Sequence, residues 1–72
     1  MNLNVQLYKD LLAIGTNITI KSGVDGVNLK ELAIIANKSN VLLTIKVDSG
    51  VSIDELKELA EIGQKNVKIE FI

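Results

Sequence analysis

Asn28-Leu29-Lys30-Glu31-Leu32-Ala33-Ile34-Ile35-Ala36, followed by Val41-Leu42-Leu43-Thr44-Ile45-Lys46-Val47, is the stretch that decides how this chain folds. In its first half Leu29, Leu32, Ala33 and Ala36 fall at i, i+3, i+4 and i+7, one apolar stripe of a helix. Asn28 can cap that helix, and Glu31 three residues on can close a capping box. The second half is nearly continuous apolar, the pattern of a strand central in a sheet or covered on both sides. The unit is a helix followed by a strand.

The same unit recurs on both sides. Lys30-Glu31-Leu32-Ala33 returns as Lys57-Glu58-Leu59-Ala60, and Asn40-Val41 returns as Asn66-Val67. Thr44-Ile45-Lys46 is anticipated by Thr19-Ile20-Lys21. A degraded copy opens the chain, where Leu11-Leu12-Ala13-Ile14-Gly15 stands for Leu32-Ala33-Ile34-Ile35-Ala36. In the first helix the stripe reads Leu7, Leu11 and Ile14. In the third it reads Ile53, Leu56, Ala60 and Gly63, flanked by Leu59 and Ile62, with Ser52 and Glu55 as a second capping box. Gly15 and Gly63 occupy places where a left-handed cap would end a helix.

The strand patterns supply the order. Ile18-Thr19-Ile20-Lys21 and Val67-Lys68-Ile69-Glu70-Phe71 alternate, with one face buried and one wet, whereas 41–47 does not. A strand, a helix and a parallel strand make a right-handed crossover. The expected fold is therefore α/β, with three tandem α-β repeats at about 3–21, 28–47 and 52–72. They form one domain over 1–72, a three-stranded parallel sheet in the order 1-2-3 with the helices on one face. It is a short α/β solenoid or a two-layer sandwich. The repeat length resembles that of leucine-rich repeats, although the Leu-x-x-Leu-x-Leu-x-x-Asn signature is absent; the nearest stretch, Leu43-Thr44-Ile45-Lys46-Val47-Asp48, has Asp at the Asn position. The resemblance extends to architecture alone.

Composition closes off several functions. The chain has 72 residues, 47% of them hydrophobic, with no His and no Cys. Without Cys there is no disulfide, no thiolate nucleophile and no cysteine-held metal. Without His the usual base and the commonest metal ligand are missing. Ser22, Ser39, Ser49 and Ser52 therefore have no imidazole to activate them, and an enzyme is not expected. All eight cations are Lys, against nine acids, a net charge of −1. That is not the basic surplus of a nucleic-acid binder. No apolar run reaches the roughly 18 residues of a membrane span. The opening Met-Asn-Leu-Asn-Val-Gln-Leu lacks the basic and apolar regions of a secretory signal, so a cytoplasmic setting is expected.

Two places remain for function. The helix-free sheet face and both sheet edges are uncovered, which suits a partner: a copy of the chain in a homo-oligomer or stack, or another protein. Leu42, Phe71 and Ile72 are the expected contact residues there, with Ile34 and Tyr8 as candidates on the helix layer. The charge is uneven, with five Lys against three acids over 1–46 and three Lys against six acids over 47–72. Such an asymmetry is first of all that of a solvated acidic last helix, and it also suits head-to-tail stacking. The second place is the pair of loops after the first two strands, Ser22-Gly23-Val24-Asp25-Gly26 and Val47-Asp48-Ser49-Gly50. Asp25 and Asp48 could hold a divalent cation through oxygen ligands, although Gly and Asp are first of all the residues a turn requires. No phosphate-loop spacing and no cofactor motif is present. The principal expectation is a non-enzymatic interaction or self-assembly module. Its alternatives are a small ligand- or metal-binding domain at those loops, and a regulator or inhibitor that docks on another protein.

Overall fold

The central helix forms where its apolar stripe requires. In the computed structural model, which describes residues 3–21, 26–47 and 52–71, α1 (Leu3–Ile14) leads to β1 (Ile18–Ile20). Then come α2 (Gly26–Ser39), β2 (Leu43–Val47), α3 (Ile53–Gly63) and β3 (Val67–Phe71), the last two joined by a single 3-10 turn. The strands form one parallel sheet in the order β1-β2-β3. Ile18 pairs with Leu43 and Leu43 with Val67, so the repeated Thr19-Ile20 and Thr44-Ile45 lie abreast. α1 packs on α2 and α2 on α3, placing the helices in one layer.

The core lies between that layer and the sheet. Leu12, Leu32 and Leu59 come down from the three helices onto Ile20, Leu43 and Ile45, and all six are fully buried. Ala33 and Ala36, also buried, keep α2 close to its neighbours. The stripe expected on α2 is the stripe observed.

α1 and α3 depart from the expected stripes. On α1 the buried residues are Val5 and Leu12, with Tyr8 packed against the core between them, whereas Leu7 and Ile14 are exposed. On α3 Leu56, Leu59 and Gly63 are buried, while Ile53 and Ala60 face water. The reason is position. Among the described residues each outer helix has a helix on one side only, so the apolar residues on its far flank have nothing to pack on.

The helix ends also correct the expectations. α2 starts at Gly26, which places Asn28 inside the first turn rather than at the cap. Capping signatures locate a helix start only to within about a turn. Ser52 does cap α3, its Oγ accepting from the Glu55 N–H at 3.4 Å. Gly15 ends α1 as expected, at φ 110°, with the Thr16 N–H donating to the Leu11 carbonyl at 2.9 Å. Gly63 does not: its φ of −87° is ordinary helical backbone, and the left-handed residue is Gln64, at φ 51°.

Candidate functional site

Alternation along the strands sets which side chains reach the uncovered face. With Ile20, Leu43, Ile45 and Ile69 turned to the helices, Thr19, Thr44 and Lys68 make one row across the sheet, and Lys46 and Glu70 begin the next. Lys21 follows the Ile20–Ile45 pair, so it extends that second row beside Lys46. Thr44, in the middle strand, is buried even on this open side because both neighbouring strands crowd it.

The charged row has its own electrostatics. Lys68 Nζ lies 3.0 Å from Glu70 Oε2. That hydrogen bond and the charge of Lys68, with a smaller effect of Lys46, hold the Glu70 carboxyl below its ordinary value. Glu70 is thus already neutralised along its own strand, and Lys21 and Lys46 carry an excess of positive charge. Lys21, Lys46, Glu70 and Phe71 line a depression of about 260 Å³ at the carboxyl ends of the strands. This is where ligands sit in open α/β sheets.

The opposite end of the sheet is held by asparagines. The Leu42 N–H donates to Asn17 Oδ1 at 2.8 Å. Asn66, buried, donates from Nδ2 to the Val41 carbonyl at 3.0 Å and to Asn40 Oδ1 at 3.3 Å. Asn37 Nδ2 reaches the Ile62 carbonyl at 3.0 Å, tying α2 to the end of α3. These bonds are structural: they satisfy the Leu42 N–H and the Val41 carbonyl ahead of β2 and a carbonyl in the last turn of α3.

The residues expected at an interface do not form a single patch. Leu42 is exposed at the amino end of β2 and, by alternation with Leu43, lies on the open face. Phe71 is at the other end of β3, on the helix side with Val67 and Ile69. It is 72% exposed although its register partner Val47 is 3% exposed. Ile34 is exposed on the helix layer, and Tyr8 is half-buried there against the core. Ile72, Asp25 and Asp48 lie outside the described residues. Among the described residues no three Asp or Glu side chains converge as a metal would require, and no helix is long and apolar enough to cross a membrane.

No family model, no curated protein and no solved structure matches the chain. The depression at Lys21 and Lys46 went unread in the sequence, although a signal for it was present. A tripeptide repeated in adjacent parallel strands, Thr19-Ile20-Lys21 and Thr44-Ile45-Lys46, places its lysines side by side.

Proposed function

We propose that the chain is a non-enzymatic interaction module, cytoplasmic in setting, that docks through the edge of its sheet and its uncovered sheet face onto protein. The observation that carries this reading is the contrast between Phe71 and Val47. They are neighbours in register, yet the one on the edge strand leaves a large aromatic surface in water. Exposed strand edges invite pairing with another chain, with side chains on alternate faces giving specificity.

Sedimentation velocity at tens of micromolar tests it, with the chain itself as the first partner. The expected result is a reversible associated species that Phe71→Lys or Leu42→Lys weakens without lowering the unfolding midpoint. A chain that stays strictly monomeric, or variants that associate as well as the wild type, would count against the reading.

The depression favours a second reading, a site for a small anion. Two lysines facing one partly neutralised carboxylate suit a phosphate or carboxylate group better than a cation. Inorganic phosphate is the probe. At one hundred times its dissociation constant it should raise stability by about 2.7 kcal/mol, and Lys46→Ala should remove that gain. An unchanged midpoint in phosphate disposes of the site.

A further inference from the structure

Two ion pairs cross the helix layer, and they share one pattern. Lys9 Nζ on α1 lies 2.7 Å from Glu31 Oε2 on α2. Lys30 Nζ on α2 lies 2.8 Å from Glu58 Oε2 on α3. These residues belong to three copies of a Lys-acid-Leu triplet: Lys9-Asp10-Leu11, Lys30-Glu31-Leu32 and Lys57-Glu58-Leu59. In both pairs the lysine of one triplet reaches the acid of the next. One member is then left over at each flank of the layer. Lys57 on α3 has no ion pair among the described residues. Asp10 on α1 accepts from Gln6 Nε2 of its own helix, at 3.1 Å, and has no ion pair among the described residues.

The surroundings of these two leftover charges are apolar and uncovered. Leu7 and Ile14 lie three residues before and four after Asp10, on the same flank, and are 52% and 79% exposed. Ile53 and Ala60 lie four before and three after Lys57; Ile53 is 69% exposed and Ala60 also faces water. An isoleucine follows the leucine of each triplet by three residues. In the second and third copies it is Ile35 and Ile62, both partly buried and packed against the core. In the first copy it is Ile14; there Leu12 and not Leu11 takes the buried place of Leu32 and Leu59, so Ile14 turns out to water, and among the described residues no helix lies beyond α1 to cover it.

We propose that a second copy of this chain covers these flanks, with α1 of one copy lying beside α3 of the next. Lys57 of one copy then reaches Asp10 of its neighbour as Lys9 reaches Glu31 and Lys30 reaches Glu58. Leu7 and Ile14 close against Ile53 and Ala60. The same placement lays the β3 edge beside the β1 edge of the neighbour, continuing the observed register of Ile18, Leu43 and Val67. This rests on the docking role proposed above and names its partner and contact. The two surfaces are different, so the contact is heterologous. It gives a ring if the rotation closes and a filament if it does not.

Charge exchange tests the contact. Lys57→Glu and Asp10→Lys, each checked for an unchanged unfolding midpoint, are run alone and as an equimolar mixture in sedimentation velocity. Each alone should associate about tenfold more weakly, since a like-charge contact replaces an exposed pair. The mixture should recover wild-type association, because the new acid at position 57 meets the new base at position 10. Raising the salt should weaken the wild-type assembly and leave the monomer folded. A mixture that fails to recover overturns the stack. So does association that is unchanged in Lys57→Glu but lost in Leu42→Lys, and that outcome leaves the docking role standing. A wild-type chain that never associates overturns the stack and removes self-docking with it.

Discussion

A Cβ placed on Gly63 would lie 2.7 Å from the Cβ of Val67 and collide with its Cγ2. Gly63 is needed for space and not for its dihedral angles, because the 3-10 turn folds β3 straight back over the end of α3. Gly63→Ala should therefore destabilise by about 1–3 kcal/mol, the usual consequence of overpacking. Adding Val67→Ala should recover part of the loss, since two residues in contact are coupled. Gly15 is the control. Nothing lies within 4 Å of the position its Cβ would take, but its φ is 110°. Gly15→Ala should cost about 1–2 kcal/mol through the backbone alone, and no truncation elsewhere should relieve it. Urea unfolding midpoints distinguish the two glycines.

Much of this fold is legible in the sequence, and the legible parts have a common cause. Helix periodicity, the apolar run of β2 and the Thr-Ile-Lys repeat are local patterns. Each is enforced by the element it belongs to, so order, parallelism and the α2 stripe all follow. What was not legible depends on neighbours. Leu7 and Val5 look equally apolar in sequence. Only the one-sided packing of α1 decides that Val5 is buried and Leu7 is not. Gly63 and Gly15 both look like left-handed caps, and only the path of the chain after Gly63 moves the left-handed residue to Gln64. The lateral ion pairs were hidden likewise. The triplets are plain in the sequence, but that Lys30 reaches Glu58 and not an acid on its own helix is a fact of helix packing.

Asn66 should matter more than its polarity suggests. Buried beneath the loop before β2, it supplies the hydrogen bond that satisfies the Val41 carbonyl and a second bond to Asn40. Asn66→Ala strips both, and a buried group left unsatisfied costs about 1–3 kcal/mol. Asn17→Ala removes the acceptor for the Leu42 N–H at an exposed site, where water can substitute, so its effect should be smaller. Hydrogen exchange at Leu42 reports this locally, accelerating in Asn17→Ala while the unfolding midpoint moves little.

The dependence of stability on pH should be confined to the two ends of the range. The carboxylate of Glu58, by hydrogen bond and charge, raises the Lys30 amine above its ordinary 10.5. A raised amine contributes stability below its unfolded value and loses it as pH climbs through the folded one. Lys68 lowers the Glu70 carboxyl below its ordinary 4.5. A lowered carboxyl contributes above the unfolded value and loses it as pH falls through the folded one. Between those limits neither the Lys30 amine nor the Glu70 carboxyl changes protonation. Melting temperatures should fall only in the acid and alkaline limbs, and Glu70→Gln should flatten the acid limb slightly. Both pairs are solvent-exposed, so added salt should shrink these effects. A transition near neutral pH would point to a group other than these.

Leu12 and Leu7 test how α1 is seated, and with it the proposed stack. Leu12 is fully buried under the helix layer, and Leu12→Ala should cost about 2–5 kcal/mol. A chain of this length holds roughly 4–11 kcal/mol in all at typical stabilities per residue, so this one truncation should leave the fold near its limit. Leu7 faces away from the core. Leu7→Ala should move the unfolding midpoint of the dilute monomer by no more than about 0.5 kcal/mol. In a stack, however, Leu7 is the residue that meets the α3 flank of the neighbour. Leu7→Ala should therefore weaken association at high concentration while the monomer remains as stable as before. A Leu7 variant that loses monomer stability would mean that α1 turns a different face to the sheet, and Ile14 could not then lie on the flank the stack requires.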